Sequence, residues 1–302
     1  MTQPIIALAG ATGDLGGRIC EALVGRGASV RALVRPDASE GDVARIAALG
    51  ATPVRADPAR VDSVAAAVEG AACVVSALNG LHDVIVGRQG VLLDAAVKAG
   101  VPRFIPSDYS ADFTKTRPGH NRNFDFRREF MVRADRAPIR VTSILNGAFM
   151  DMLGAEMPVI QPGIHRVLYW RSADQPLDFT TKDDVAAYTA AAAMDDAAPR
   201  FLRISGDTLS ARGIAEVMTQ SSGERYRTLW VGSMGSLGVM IRIAKLVAPG
   251  TGEAFPPWQG MQYIRDMFSG RGKLDPLDNH RYANIRWTSF RELLAARRAS
   301  AG

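Results

Sequence analysis

A glycine-rich turn lies close to the start of the chain and directly follows a short apolar segment. Residues 5–9 predict a buried strand and residues 18–24 predict a helix, with the turn between them. In such a unit the first glycine permits a sharp turn, the second lets a pyrophosphate approach, and the third lets the helix pack against the strand. The free N–H groups at the helix start then face the phosphates. The pattern therefore predicts a dinucleotide site rather than a plain tight turn. Its expected contacts are Gly10, Thr12, Gly13, Asp14, Leu15 and Gly16.

The composition is that of an ordinary globular protein. The chain has 302 residues, of which 47% are hydrophobic and 22% are charged. No apolar run approaches the roughly 18 residues that a membrane span needs, and no basic segment precedes the first apolar stretch. We therefore expect a cytoplasmic location and no membrane partner. Cys20 and Cys73 lie in apolar stretches and are expected to be buried, and no spacing of Cys and His predicts a metal site.

The positive charge is concentrated near the C-terminus. From Arg200 onward the chain has 15 Lys and Arg against 8 Asp and Glu, or +7, which leaves −2 of the total of +5 for the rest. Such a balance is typical of a solvated surface, or of a wall that attracts anionic ligands. No aromatic-interleaved platform or DNA-reading motif accompanies it, so nucleic-acid binding is not expected.

The first half of the chain alternates short apolar segments with helical ones. This order predicts an α/β fold, namely a Rossmann-like doubly wound parallel sheet with a smaller C-terminal substrate lobe. The sixth strand is expected to run without a break from Arg140 to Leu145. We expect a nucleotide-binding domain over residues 1–150, extended by 180–205, and a lobe over 151–302. In that lobe residues 167–170 and 177–179 predict a hairpin-like region.

The end of the second strand indicates which nicotinamide cofactor binds. Arg35 stands where an NAD site usually has an acidic residue, and a guanidinium suits the 2′-phosphate of NADP(H). Asp37 follows closely, and a surface arginine is the alternative. Asp57, after the third strand, is expected near the adenine amino group. Further contacts are expected after later strands, at Asn79, Gly80, Ser107 and Asn146.

Together these segments resemble the NmrA-like and isoflavone-reductase-like branch of the atypical short-chain dehydrogenases/reductases. The resemblance covers at least residues 4–194. It rests on residues 10–16, 30–35, 146–149 and 181–186, and on the block Arg103-Phe104-Ile105-Pro106-Ser107-Asp108-Tyr109. It implies a Rossmann-like domain that binds NADP(H) and a smaller substrate lobe.

The chain lacks the usual proton donors of these enzymes. None of its six tyrosines has a lysine four residues later, so the Tyr-x-x-x-Lys pair of ordinary short-chain reductases is absent. Isoflavone-reductase-like members share a Phe-Asp-x-Lys element whose lysine is the acid/base. Here the matching stretch is Phe124-Asp125-Phe126-Arg127. An arginine cannot exchange protons near neutral pH, but it can stabilise an oxyanion or hold an anionic substrate.

Two functions follow from these residues. In the first, the protein is an NADPH-dependent reductase in which Tyr109 donates the proton, Ser107 orients the reactants and Arg127 polarises the oxyanion. The alternative for Tyr109 is an aromatic lid on the nicotinamide. Substrate contacts are expected at Phe149, Met150 and Leu153, for which core packing is the alternative. In the second function, the chain senses the NADP(H) pool and acts through a protein partner bound to its basic C-terminal lobe.

Overall fold

A six-stranded parallel sheet is the centre of the structure. The computed structural model describes residues 3–154 and 157–299. The strands follow the order β3-β2-β1-β4-β5-β6. They are β1 (Ile5–Ala9), β2 (Ser29–Val34), β3 (Thr52–Arg55), β4 (Cys73–Ser76), β5 (Arg103–Ile105) and β6 (Arg140–Val141). The order reverses between β1 and β4, and this crevice is where doubly wound sheets bind their ligands. The predicted fold class is confirmed.

Helices cover both faces of this sheet. They are α1 (Asp14–Gly25), α2 (Glu40–Ala48), α3 (Val61–Val68), α4 (Gln89–Lys98), α5 (Arg122–Ala134) and α6 (Lys182–Ala193). One turn of π-helix, Asp83–Arg88, leads into α4. Successive strand residues point to opposite faces, so Ile6 and Leu8 pack with α1 and α6, whereas Ala7 and Ala9 pack with α3 and α4.

The remaining described residues form three small sheets and four more α-helices. The pairings are β7 with β12, β11 between β8 and β13, and β10 between β9 and β14. The strands are β7 (Ser143–Leu145), β8 (Ala148–Phe149), β9 (Ile160–Gln161), β10 (Arg166–Trp170), β11 (Leu177–Thr180), β12 (Phe201–Arg203), β13 (Asp207–Leu209) and β14 (Arg227–Gly232). The helices are α7 (Ala211–Ser222), α8 (Met234–Val247), α9 (Pro257–Phe268) and α10 (Phe290–Ala299).

Two predictions, one about a strand and one about a hairpin, are wrong. The strand predicted from Arg140 to Leu145 is interrupted at Thr142, whose N–H donates to the Phe104 carbonyl, whereas the N–H of Ser143 donates to the Arg200 carbonyl. The chain thus changes partner from β5 to β12. The predicted hairpin is also absent, because β10 and β11 belong to different sheets. Between them Arg171 adopts a left-handed backbone, with φ of 63°. The residue ranges of the two expected domains stay a prediction.

Gly147 lies where the chain leaves β7 for the second set of sheets. Its φ is +71°, and a Cβ there would clash with the backbone carbonyl of Asp178. The Asp178 carboxylate is buried and accepts hydrogen bonds from Lys273 Nζ (2.6 Å), the Leu274 N–H (2.8 Å) and Thr208 Oγ1 (2.9 Å). Only glycine fits both the backbone angle and the space.

We expect Gly147→Ala to lower the free energy of unfolding by about 3 kcal/mol, from left-handed strain and from overpacking. Gly100→Ala is the matched control, since Gly100 has φ of +69° but nothing within 4 Å of a Cβ. It should cost only about 1 kcal/mol, the strain alone. Urea unfolding of the two variants measures both losses. Equal losses would contradict the role assigned to the Asp178 contact.

Candidate functional site

The turn between β1 and α1 leaves a helix start open to solvent. Gly10 has φ of +89°, and a Cβ on it would clash with the Ala77 backbone. A Cβ on Gly16 would clash with the Gly10 carbonyl, so the helix begins directly above the end of β1. Gly13 is the N-cap of α1, and no side chain caps this helix. The first N–H groups of α1 are therefore available to an anion, as a pyrophosphate site requires.

Asp14 differs from the other residues of the turn because its side chain is paired with other side chains of the protein. Its carboxylate accepts a hydrogen bond from Lys182 Nζ at 2.6 Å and from Arg18 Nε at 2.7 Å. These two bonds hold its pKa below the usual range. The carboxylate therefore forms part of the contact between α1 and α6. The backbone N–H of Asp14 remains available to a phosphate. Leu15 lies half-buried against the core, and Thr12 is exposed.

Two arginines lie near Asp42, one at the end of β2 and one on α2. Arg35, at the end of β2, is 65% exposed, and its Nε lies 3.6 Å from Asp37 Oδ1. The sequence did not predict a role for Arg45. This side chain extends from α2 and donates to the Thr12 carbonyl at 2.7 Å and to Asp42 at 3.1 Å. A single basic residue in a helix carries no signal of this kind in the sequence. Both guanidinium groups suit a 2′-phosphate.

Three other predicted contacts follow β3 and β4. Asp57 caps a turn, because its carboxylate accepts from the Ala59 N–H at 2.9 Å and its own N–H donates to Ser63 Oγ at 2.9 Å. Asn79 is exposed. Gly80 packs against Val84, and a Cβ there would lie 2.6 Å from the valine side chain. These residues lie at the carboxyl edge of the sheet, beside the glycine turn.

Gln89, a buried residue that the sequence analysis did not identify, positions Ser107. Gln89 on α4 is fully buried, accepts from the Ser107 N–H at 2.8 Å and donates to the Ile85 carbonyl at 3.2 Å. Gln89 directly follows Arg88, so nothing in the sequence marks it as the buried one of these two polar residues. The segment after β5 is thus tied to the π-helical turn after β4.

A chain of polar contacts runs behind β5. Ser143 Oγ donates to Asp108 Oδ2 at 2.6 Å, Arg200 Nη1 donates to Ser143 Oγ at 2.7 Å, and Arg200 Nε donates to Asp135 at 2.8 Å. Burial raises the pKa of Asp108, and the Ser143 hydroxyl and the positive charge of Arg127 partly oppose that rise. Asp108 Oδ1 has no hydrogen-bond partner in the described part of the chain. A buried acceptor therefore lies close to a buried cation.

Arg127 is that cation. It lies on α5, is 7% exposed, and donates through Nη1 to the Asn123 carbonyl at 3.2 Å. Its Nε has no partner within residues 3–154 and 157–299. The Asn123 side chain in turn donates to the Ala254 carbonyl at 3.0 Å, so the loop before α9 covers the start of α5. An unfilled donor on a buried arginine is costly unless a ligand or water completes it.

Tyr109 is buried beside α6. Its side chain lies in the core that packs against α1 and α6, and its hydroxyl has no hydrogen-bond partner in the described chain. Burial raises the pKa of this phenol far above its usual value, although the nearby Thr189 hydroxyl opposes the rise. The side chain is directed toward α6 and away from solvent, and the catalytic role expected for it stays a prediction.

The side-chain amide of Asn146 is a second buried polar group without a hydrogen-bond partner among the described residues. The residue is fully buried after β7, and its backbone carbonyl accepts from Thr180 Oγ1 at 2.8 Å. Neither atom of its side-chain amide has a partner among the described residues. An amide in this state lacks the polar partner that buried groups usually have, and the cofactor contact expected at Asn146 stays a prediction.

The predicted substrate contacts are not brought together on one wall. Met150 and Leu153 are buried in the core of the second half of the chain, with Trp170 and Phe179. Phe149 is half-buried and packs instead against the core that includes α1 and α6. Of the three, Phe149 alone keeps partial exposure.

Other classes of site find no support within residues 3–154 and 157–299. No three His, Cys, Asp or Glu side chains come together as metal ligands there, and no helix has the length and apolar character to cross a membrane. Cys20 and Cys73 are free and buried. Burial raises the pKa of both thiols to about 11, so neither is a reactive thiolate.

Comparisons with known proteins agree with this geometry. Residues 2–235 match the NmrA-like family. Pinoresinol reductase 1 of Arabidopsis thaliana is 28% identical over 71% of this chain and 70% of its own length. The structure of AtPrR2 with NADP+ and (+)pinoresinol superposes with a TM-score of 0.80 at 21% identity, over 98% of this chain and 99% of that one.

A bacterial enzyme has the same fold. The NADPH complex of an NADPH-dependent quinone oxidoreductase from Escherichia coli superposes with a TM-score of 0.77 at 20% identity, over 96% of this chain and 99% of that one. The cofactor in this complex and in that of AtPrR2, NADP+ or NADPH, is the one expected from the sequence.

We expect Gly16→Ala to weaken dinucleotide binding at least about tenfold, because the new methyl group must push α1 away from Gly10 and misplace the first N–H groups. Gly17→Ala is the matched control, since a Cβ there makes only an ordinary 3.6 Å contact with the Ala11 carbonyl. Titration calorimetry with NADP+ compares the two. Equal affinities would show that the close backbone approach is not needed for binding.

Proposed function

This chain belongs to the NmrA-like family, and on that premise we propose that it is an NADPH-dependent reductase of a small apolar or aromatic carbonyl or enone. The observation that carries the proposal is the buried Arg127 with an unfilled Nε–H, beside the carboxyl edge of a nucleotide-binding sheet. The names of its relatives, pinoresinol reductase and quinone oxidoreductase, support the reaction class. Pinoresinol and quinones are their substrates and do not identify the substrate here.

The residues present fit NADP(H), which supplies a hydride when bound. The N–H groups at the start of α1 would hold the pyrophosphate. Arg35 and Arg45 would grip the 2′-phosphate from two sides, since a guanidinium binds phosphate through paired N–H donors. The unfilled amide of Asn146 and the segment at Ser107 would line the nicotinamide end.

Arg127 stabilises charge in this proposal and does not transfer a proton. Its Nε–H donates to the substrate oxygen, and this bond strengthens as negative charge develops there. An arginine stays protonated, so the proton that completes the product comes from water at the open edge of the site. Asp108 lies close enough to offset part of the cost of burying the cation. We assign no proton transfer to Tyr109.

Replacing the two cofactor arginines should change the cofactor preference. We expect Arg35→Ser with Arg45→Ser to raise the KM for NADPH at least about a hundredfold, because each lost charged hydrogen bond costs about 1.5–3 kcal/mol. The KM for NADH should change by less than about threefold, since NADH carries no 2′-phosphate. Steady-state kinetics with both cofactors measure the ratio. Arg26→Ser, at an exposed arginine after α1, is the control. A parallel loss with NADH would contradict the 2′-phosphate contact.

Arg127 and Tyr109 should differ sharply in their effect on turnover. We expect Arg127→Met to lower kcat about a hundredfold or more, the usual effect of removing an oxyanion donor. Tyr109→Phe should change kcat by less than about threefold, since it removes only an unpaired hydroxyl. NADPH oxidation over a panel of quinones, enones and aromatic carbonyls provides the measurement. A large loss in Tyr109→Phe with unchanged stability would restore Tyr109 as the donor.

The second function, a catalytically weak NADP(H) sensor, is favoured by the burial of Tyr109 and the absence of a lysine from α5. In this case the basic C-terminal lobe serves an acidic protein partner. The two functions separate in one experiment: tight NADPH binding with no turnover across the substrate panel supports the sensor. Turnover that depends on Arg127 supports the reductase.

A further inference from the structure

Helix α8 leaves an apolar face uncovered. Leu237 and Ile241 on its inner side are buried. On the opposite side Ile243 is 55% exposed, Leu246 83% and Val247 79%. With Val239 these residues recur at the three- and four-residue spacing of one helix face, which we call the α8 face. A helix whose two opposite sides are both apolar has a second surface to bury.

The strand before α8 also exposes large apolar side chains. β14 is an edge strand, since it pairs with β10 on one side only. Trp230 on this strand is 59% exposed and Leu229 is 41% exposed. Tryptophan is enriched where an apolar phase meets water, because its ring is apolar and its N–H is polar.

The segment that contains the α8 face carries charge of one sign. Between Glu224 and Glu253 the chain has no Asp or Glu, and its four charged residues are Arg225, Arg227, Arg242 and Lys245. Arg242 and Lys245 lie on α8 at one flank of the apolar face. The Lys245 ammonium lies 4.6 Å from the Trp258 ring centroid, which keeps it against α9. Asp125 on α5 is the one acidic residue that acts on Lys245, against the cations Arg122 and Arg265. An apolar surface with a mainly cationic border fits a partner that is apolar and anionic.

We propose that the α8 face binds the surface of an anionic lipid bilayer, with the helix parallel to the membrane plane. A helix with an apolar face, flanking cations and a nearby tryptophan is the usual form of an interfacial anchor. At about 1.5 Å per residue, α8 is roughly 20 Å long, enough to seat several side chains among lipids. The described residues contain no spanning helix, and a helix that lies on the surface needs none.

A second copy of the chain fits this face less well. In a two-fold dimer the same surface meets itself, so Arg242 and Lys245 of each copy would approach the cations of the other. No acidic residue between Glu224 and Glu253 is present to pair with them. Like charges that face each other across an interface cost free energy, whereas anionic headgroups compensate the same cations.

Sedimentation of the full chain with lipid vesicles tests the proposal. Vesicles of equal parts phosphatidylglycerol and phosphatidylcholine should bind the protein at least about tenfold more tightly than phosphatidylcholine alone, since each cation near the surface adds about 1 kcal/mol. Leu246→Glu should weaken binding to the anionic vesicles at least about tenfold. Ala66→Glu, at an exposed site on α3, adds the same charge and should leave binding unchanged.

Tryptophan fluorescence gives a second readout. Brominated phosphatidylglycerol should quench part of the emission, and Trp230→Phe should remove most of that quenching. Equal binding to both vesicle types, equal binding by Leu246→Glu, or no binding at all would overturn the proposal. A concentration-dependent dimer in sedimentation equilibrium that Leu246→Glu dissociates, without lipid binding, would assign the face to a second copy.

Discussion

The backbone contact between Gly16 and Gly10 is the constraint on which the rest of the molecule depends. Because no side chain separates these residues, α1 begins at the end of β1 and lies close to the sheet. Helix α1 can then pack along α6, where Arg18 pairs with Asp183, a residue 165 positions away in the sequence. The same contact therefore shapes the phosphate cradle and brings the second half of the chain onto the nucleotide-binding sheet.

Burial of charge behind β5 is the second constraint. Asp108 and Arg127 are both almost fully buried, and a lone buried charge costs several kcal/mol. The Ser143 hydroxyl and Arg200 connect Asp108 to Asp135 at the protein surface. Part of the cost is thus offset within the fold, and the cation of Arg127 belongs to a prepared electrostatic environment. In the proposed reductase, its unfilled Nε–H is the group that binds the substrate oxygen.

The fold of the first half could be predicted from the sequence because its signals are local. Each strand from β1 to β5 is short and is followed by a helix, and this alternation implies a parallel sheet. Beyond Leu145 the strands have two to six residues, and their partners are distant, as when Arg166 in β10 lies opposite Arg227 in β14. Local patterns do not specify such pairs, which explains the false hairpin.

The contrast between local sequence signals and contacts of distant residues applies to the site as well. The places of the glycine turn and Arg35 in the fold could be predicted because each follows the end of a strand. The place of the Arg45 side chain could not, since it depends on how α2 packs back on Thr12. Tyr109 was expected at the edge of the sheet, but the N–H of Asp108 donates to the Pro106 carbonyl at 2.9 Å. This tight turn directs the next side chain into the core.

Arg127 on α5 can perform only one of the two functions that a lysine can perform beside a substrate oxygen. A lysine beside a substrate oxygen can stabilise negative charge and also give up a proton. Arg127 can do only the first, because a guanidinium keeps its protons near neutral pH. A reductase built on this site needs water at the substrate oxygen, so a fully sealed pocket would work against it. The loop whose Ala254 carbonyl holds Asn123 therefore has to cover the start of α5 while leaving the carboxyl edge of the sheet open.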